Sequence, residues 1–182
     1  GSVTPHSRMT HAVVTLETLN AWANFSRSYF LSCVLKPYGT KGGRITATRF
    51  TGAGFADAIA IAMSRHKPRL RPPWKRRDEP TWYDVNVLVK SCEDLGCSNL
   101  LHIQAALSMP TKVFEHLPVF RNFFGHRNDS TAAKTRVLAP YYNIPGFQHP
   151  TDILRARPVG RPFPLLVSWI DDMSNVVDFI CE

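Results

Sequence analysis

Proline and apolar spacing together decide what this chain can fold into. Between its prolines, apolar residues recur at three- and four-residue steps, the period of a helix. No stretch shows the clear two-residue alternation of a strand, and no internal repeat appears. Val13, Leu16, Leu19, Trp22, Ala23, Phe30 and Val34 predict a helix from about His11 to Leu35, stopped at Pro37. Phe55, Ala58, Ile59, Ala62 and Met63 predict a second over Thr51 to His66, ended by Pro68. A third opens at Thr81-Trp82-Tyr83-Asp84, carries Val85, Leu88, Val89 and Cys92, and stops at Gly96. A fourth runs from a Ser98 cap to about Ser108, with Leu101, Ala105 and Leu107 as core. A fifth opens at Pro110-Thr111 and puts Val113, Leu117, Phe120 and Phe124 on one stripe. Gly125 weakens it, and helix resumes through Leu138. Residues 139–164 hold six prolines and two glycines and read as a long irregular connection. The last helix, from about Phe163, has Leu166, Trp169, Ile170, Met173, Val177 and Ile180 on its apolar face. The expectation is an all-α bundle of five or six helices, mostly up-down, with long basic loops.

At 182 residues and 44% apolar composition the chain has enough material for one globular domain with a real core. Gly1-Ser2 reads as a cloning scar, leaving 3–182 as a single domain. No apolar run is long enough for a membrane span and no signal-peptide pattern appears, so a cytoplasmic protein is expected. The four cysteines, Cys33, Cys92, Cys97 and Cys181, lack the paired spacing of a zinc site, and the histidines do not cluster. Buried reduced thiols, no metal and no cofactor are expected.

The net charge of +8 favours a polyanionic partner. Positive charge is densest at 65–77, where seven of thirteen residues are Lys or Arg. Pro68, Pro72 and Pro73 forbid a continuous helix there, so the stretch reads as an extended cationic loop. Arg69, Arg71, Lys75, Arg76 and Arg77 are candidate phosphate contacts, with Trp74 for base stacking. The ordinary alternative is a solvated connector. Glu17 and Arg27 of the first helix read as its solvated face.

One stretch combines reactive and anchoring groups: Phe120-Arg121-Asn122-Phe123-Phe124-Gly125-His126-Arg127-Asn128. Arginine supplies a permanent planar cation suited to phosphate. Histidine donates and accepts protons near neutral pH. The phenylalanines can pin the backbone carrying both. On a straight helix, however, Arg121 and His126 stand about 140° apart. Convergence needs a break near Gly125, the reach of arginine, or a second copy across a two-fold axis. The ordinary alternative makes Arg121 a salt-bridge partner of Glu115 and His126 a helix-end residue.

The segment Arg121-Asn122-Phe123-Phe124-Gly125-His126 resembles the signature of the HEPN superfamily, the higher eukaryotes and prokaryotes nucleotide-binding domains. Its nucleases carry an arginine, usually a following polar residue, and a histidine after a short gap. The resemblance implies a metal-independent endoribonuclease, dimeric, with two facing motifs. Members act as toxins held by antitoxins, in phage defence, or in RNA processing. Carried over, Arg121 binds and polarises the scissile phosphate, His126 is the general acid or base, and Asn122 orients the histidine or hydrogen-bonds the backbone. The implied products are a 2′,3′-cyclic phosphate and a 5′-hydroxyl. Arg127 and Asn128 add phosphate contacts. Toxin members often place a modifiable tyrosine where this chain has Asn128, so a nucleotide-transferring antitoxin has no such target here. RNA brings its own nucleophile, so this chemistry asks the protein only for positioning, proton transfer and charge stabilisation. The alternative expectation is a non-catalytic HEPN-like dimerisation or nucleic-acid-binding module of a larger protein.

Overall fold

The computed structural model describes residues 4–182. Among these residues there are eight α-helices and no strand, so the all-α class stands. In order they are α1 Pro5–Cys33, α2 Phe55–His66, α3 Val85–Leu95, α4 Leu100–Leu107, α5 Val113–His126, α6 Asp129–Arg136, α7 Pro150–Arg155 and α8 Leu165–Ile180. None is long and apolar enough to cross a membrane.

The boundaries follow local chemistry. Proline is tolerated at the first helical position, so α1 starts at Pro5, well before the expected His11. It ends as Lys36 turns left-handed (φ 54°) ahead of Pro37. Helix α2 starts later than expected because Gly52 and Gly54 hold its lead-in, where the Asp57 carboxylate accepts the Ala53 N–H. In α3 the N-cap is Asp84, not Thr81: its carboxylate accepts the Asn86 N–H at 2.9 Å. Gly96 closes α3 in the left-handed region at φ 67°. A Cβ there would lie 2.6 Å from Thr48 Oγ1, so both the turn and the close approach require glycine.

Four expectations are overturned. Helix α4 buries Ile103 and Ala106, while Leu101 is 80% exposed and Ala105 is also exposed. Ser98 does not cap α4; its hydroxyl accepts the Thr46 N–H instead. The supposedly irregular 139–164 contains a 3-10 turn at Pro140–Tyr142 and the short α7, whose Ile153 and Leu154 are fully buried. Pro150 begins α7 rather than breaking it, again as an N-terminal proline. Ile170 of α8 is exposed and Val176 is buried in its place.

By its contacts the chain divides into two compact units. One comprises the segment up to Asn20 and Thr111–Ser174; the other comprises Ala21–Pro110 and Asn175–Glu182. The first has Val113, Leu117, Phe120, Phe123 and Phe124 of α5 buried, with Leu165, Leu166, Trp169 and Met173 of α8. Phe120 meets Trp169 edge-on at 5.6 Å, and Tyr142 meets Trp169 at 5.8 Å. Asp172 accepts from Arg161 at 2.8 Å and from Thr111 at 2.8 Å, tying three segments together. In the second unit α3 packs against both α2 and α4. Trp22 and Phe30 of α1, Met63 of α2, Leu88 and Leu95 of α3, and Ile103 of α4 are buried to 2% exposure or less.

Candidate functional site: the C-terminal end of helix α5

The apolar stripe of α5 is as the spacing requires: Val113, Leu117, Phe120 and Phe124 are all buried, joined by Phe123. This burial fixes where the polar residues between them point. Asn122 and His126 are exposed and Arg121 is partly exposed. Arg121 Nη1 donates to Asn122 Oδ1 at 3.3 Å, so the amide steers the guanidinium. Glu115 does not neutralise Arg121. It pairs with Lys112 at 2.8 Å, an i,i+3 contact on the same helix. Among the described residues neither Arg121 nor His126 has an ion-pair partner.

The expected break at Gly125 does not occur. Helix α5 is continuous through His126, and the left-handed residue is Arg127 (φ 46°, ψ 45°), whose N–H bonds to Phe123 O at 2.7 Å. His126 therefore keeps its helical position, about 140° around the axis from Arg121. Of the three routes to convergence, the local break is removed. The reach of Arg121 and a second copy remain.

Just beyond the left-handed turn at Arg127 the chain builds a cleft that the sequence marks only in part. It has a volume of about 630 Å3 and opens to solvent. Met9, Phe123 and Phe124 give it apolar walls, and Arg8, Arg127, Asn128, Asp129 and His149 give it polar ones. Arg127 and Asn128 were candidate phosphate contacts; Arg8 and His149 come from segments far away in sequence, and no local pattern marks them. Arg8 and Arg127 are exposed and have no ion-pair partner among the described residues. Asn128 is the N-cap of α6, its side chain accepting the Thr131 N–H at 2.9 Å.

His149 is oriented from both sides. Its Nδ1 accepts the Thr151 N–H at 3.1 Å, which leaves the ring proton on Nε2. Its ring meets Phe123 edge-on at 5.4 Å. Burial lowers its pKa, and the charges of Arg8, Arg127 and Arg136 lower it further against the opposing pull of Asp152. Arg8 and Arg127 line the cleft beside this histidine, with the Asp129 carboxylate on the same wall.

The basic stretch at 65–77 lies in the second unit and is more structured than expected. Arg76 opens a 3-10 turn ending at Asp78, and Lys67 Nζ donates to Asp78 O at 2.9 Å. Arg76 is bonded to Glu79 at 3.0 Å, a carboxylate it shares with Arg27, so its guanidinium is held in an ion-pair cluster rather than free. Glu79 is buried and also takes both Nε (2.6 Å) and Nη2 (2.8 Å) of Arg27 and the Trp82 indole N–H (2.9 Å). Arg27 is therefore an interior ion-pair partner rather than a solvated residue. Trp74 is partly buried with its indole nitrogen enclosed, which takes it out of the role of a free stacking platform. Arg69, Arg71 and Lys75 are exposed, without ion-pair partners among the described residues. Arg77 is exposed, with Asp78 at 3.9 Å.

Compared with family models, curated proteins and solved structures, the chain matches none.

Proposed function

We propose that this chain is a HEPN-like helical domain that binds RNA and cleaves it without a metal ion, at a site shared between two copies. The observation that carries the reading is the state of Arg121, Asn122 and His126. All three reach solvent on the C-terminal part of α5, held by buried phenylalanines, and among the described residues no acidic group pairs with Arg121 although Glu115 shares its helix. A permanent cation and an imidazole stand in solvent beside an apolar anchor, neither held by an ion pair among the described residues. They suit phosphate binding and proton transfer.

In the proposed reaction Arg121 binds a non-bridging phosphate oxygen, with Asn122 steering its guanidinium. The RNA 2′-oxygen attacks phosphorus and the bond to the 5′-oxygen breaks. Histidine takes the 2′-hydroxyl proton or returns one to the leaving 5′-oxygen, and the products are the cyclic phosphate and the free 5′-hydroxyl. The angular separation on a continuous α5 favours Arg121 of one copy acting with His126 of another. The exposed cations of the cleft and of the 65–77 stretch supply non-specific attraction for the RNA backbone. Such a domain fits a toxin, a defence effector or an RNA-processing factor, controlled by a protein partner.

A second reading draws on the cleft. Arg8, Arg127 and His149 around an aromatic wall suit the retention of a nucleotide without cleavage. Incubation of end-labelled RNA in excess EDTA separates the two readings. The proposal expects cyclic-phosphate ends with wild type and none with His126→Ala or Arg121→Ala. Retention of RNA with no cleavage by wild type favours the second reading, and cleavage that survives both substitutions refutes the assignment of the site.

A further inference from the structure

Away from α5, the second unit brings together three cysteines from separate places in the sequence. Cys33 is the last residue of α1, Cys92 lies within α3, and Cys97 follows the turn at Gly96. All three are buried, and their sulfurs lie within 4.8 Å of one another. The arrangement is held from several sides. Cys97 N–H bonds to Cys92 O at 3.0 Å, folding the turn back on α3. Thr48 N–H bonds to Gly96 O at 3.0 Å and Ser98 N–H to Thr46 O at 2.8 Å, clamping the turn from outside. Cys33 Sγ donates to Tyr29 O at 3.3 Å. The Tyr29 hydroxyl accepts from Asn99, whose own amide oxygen is enclosed without a partner.

We propose that Cys33, Cys92 and Cys97 form a three-thiolate site for a thiophilic d10 cation, with Zn(II) as the first ion to test, tying the end of α1 to the turn after α3. The ligand set is all sulfur, since no Asp, Glu or His joins it among the described residues. Such a set selects zinc, cadmium or copper(I) over magnesium or calcium. With a metal–sulfur bond of about 2.3 Å, ligand sulfurs stand ~3.8 Å apart in a tetrahedral site and ~4.0 Å apart in a trigonal one. The sulfurs need to close by no more than about 1 Å to meet either geometry. On binding, three metal–sulfur bonds form, Cys33, Cys92 and Cys97 each release their thiol proton to solvent, and nothing is oxidised or reduced.

The test uses the whole chain, purified with a non-thiol reductant from cells supplied with Zn(II). Metal content is read by elemental analysis, and Cd(II) is then added while the sulfur-to-cadmium ultraviolet band is recorded. The proposal expects one ion per chain and a three-thiolate band. It also expects thermal unfolding raised by roughly 5–10 °C at a hundredfold excess over the dissociation constant. Cys181→Ser, a thiol outside the cluster, keeps all three effects, and Cys97→Ser loses them. Copper(I) in place of zinc in the isolated chain assigns the same site to the softer ion. Wild type without bound metal, band or thermal shift overturns the proposal even if Cys97→Ser fails to fold. So does loss of the band in Cys181→Ser.

Discussion

Removing the Glu79 carboxylate should be among the most damaging single changes in the second unit. Its side chain is 6% exposed and takes four hydrogen bonds: two from Arg27, one from Arg76 and one from Trp82. Glu79→Ala strands the Trp82 indole N–H, which is buried, and a guanidinium whose own side chain is 27% exposed. Breaking a buried pair from one side costs about 3–5 kcal/mol; water still reaches part of Arg27, which puts the expected loss near the lower end, about 3 kcal/mol. Arg27→Ala should cost less, about 1–2 kcal/mol, because Arg76 and Trp82 still satisfy the carboxylate. Urea unfolding at pH 7 measures both. The pH dependence supplies a second check. Burial raises the Glu79 pKa, but hydrogen bonds from Arg27 and Trp82 and the charges of Arg27 and Arg76 outweigh it and the net shift is downward. A depressed carboxylate stabilises the fold above its unfolded pKa, near 4.5, and that contribution is lost as pH falls through the folded value. The gap between wild type and Glu79→Ala should therefore narrow in acid. A loss under about 1 kcal/mol at pH 7, unchanged in acid, refutes the buried-network account.

Other consequences follow from the same geometry. Ile103→Ala should cost about 2–5 kcal/mol while Leu101→Ala changes stability by less than about 0.5 kcal/mol, measured by urea unfolding; the reverse order would restore the α4 face expected from sequence. Gly125 is helical and a Cβ there meets nothing within 4 Å, so Gly125→Ala should stabilise by about 0.5–1 kcal/mol. Arg127→Gly should relieve the left-handed backbone, stabilising by about 1 kcal/mol, and should weaken RNA retention in a filter assay. His149 has a lowered pKa, so its neutral form contributes stability that is present above the unfolded pKa and lost as pH falls below it. Protonation adds a cation to the cleft, so retention of a short RNA should strengthen from pH 7.5 to 5.5, and His149→Ala should flatten that dependence.

The long, strongly patterned helices were legible because burial leaves a periodic signature. The α5 stripe is the clearest case: four residues at four-, three- and four-residue steps, all buried. Helix α4 was misread because its eight residues are apolar nearly all round, so the pattern does not choose a face. Helix α7 was hidden by Pro150, which reads as a breaker and acts as a helix start. Arg121, Asn122 and His126 could be named from sequence, but their exposure depended on which neighbours were buried. Nothing local could have found Arg8 and His149 beside Arg127, or Cys33 beside Cys92 and Cys97, since tertiary folding alone makes them neighbours. The same holds for Arg27, which looked solvated until Glu79 was brought to it across 52 positions.

The central claim is that Arg121 and His126 of two copies complete one RNA-cleaving site. Mixing Arg121→Ala chains with His126→Ala chains tests it most directly, with metal-free cleavage of end-labelled RNA as the readout. Each variant alone should be inactive, because every site it forms lacks one group. After exchange of subunits, mixed pairs contain one site with both an arginine and a histidine, and cleavage should return to a substantial fraction of the wild-type rate. Two variants that stay inactive when mixed, although light scattering shows mixed dimers, would contradict the shared site.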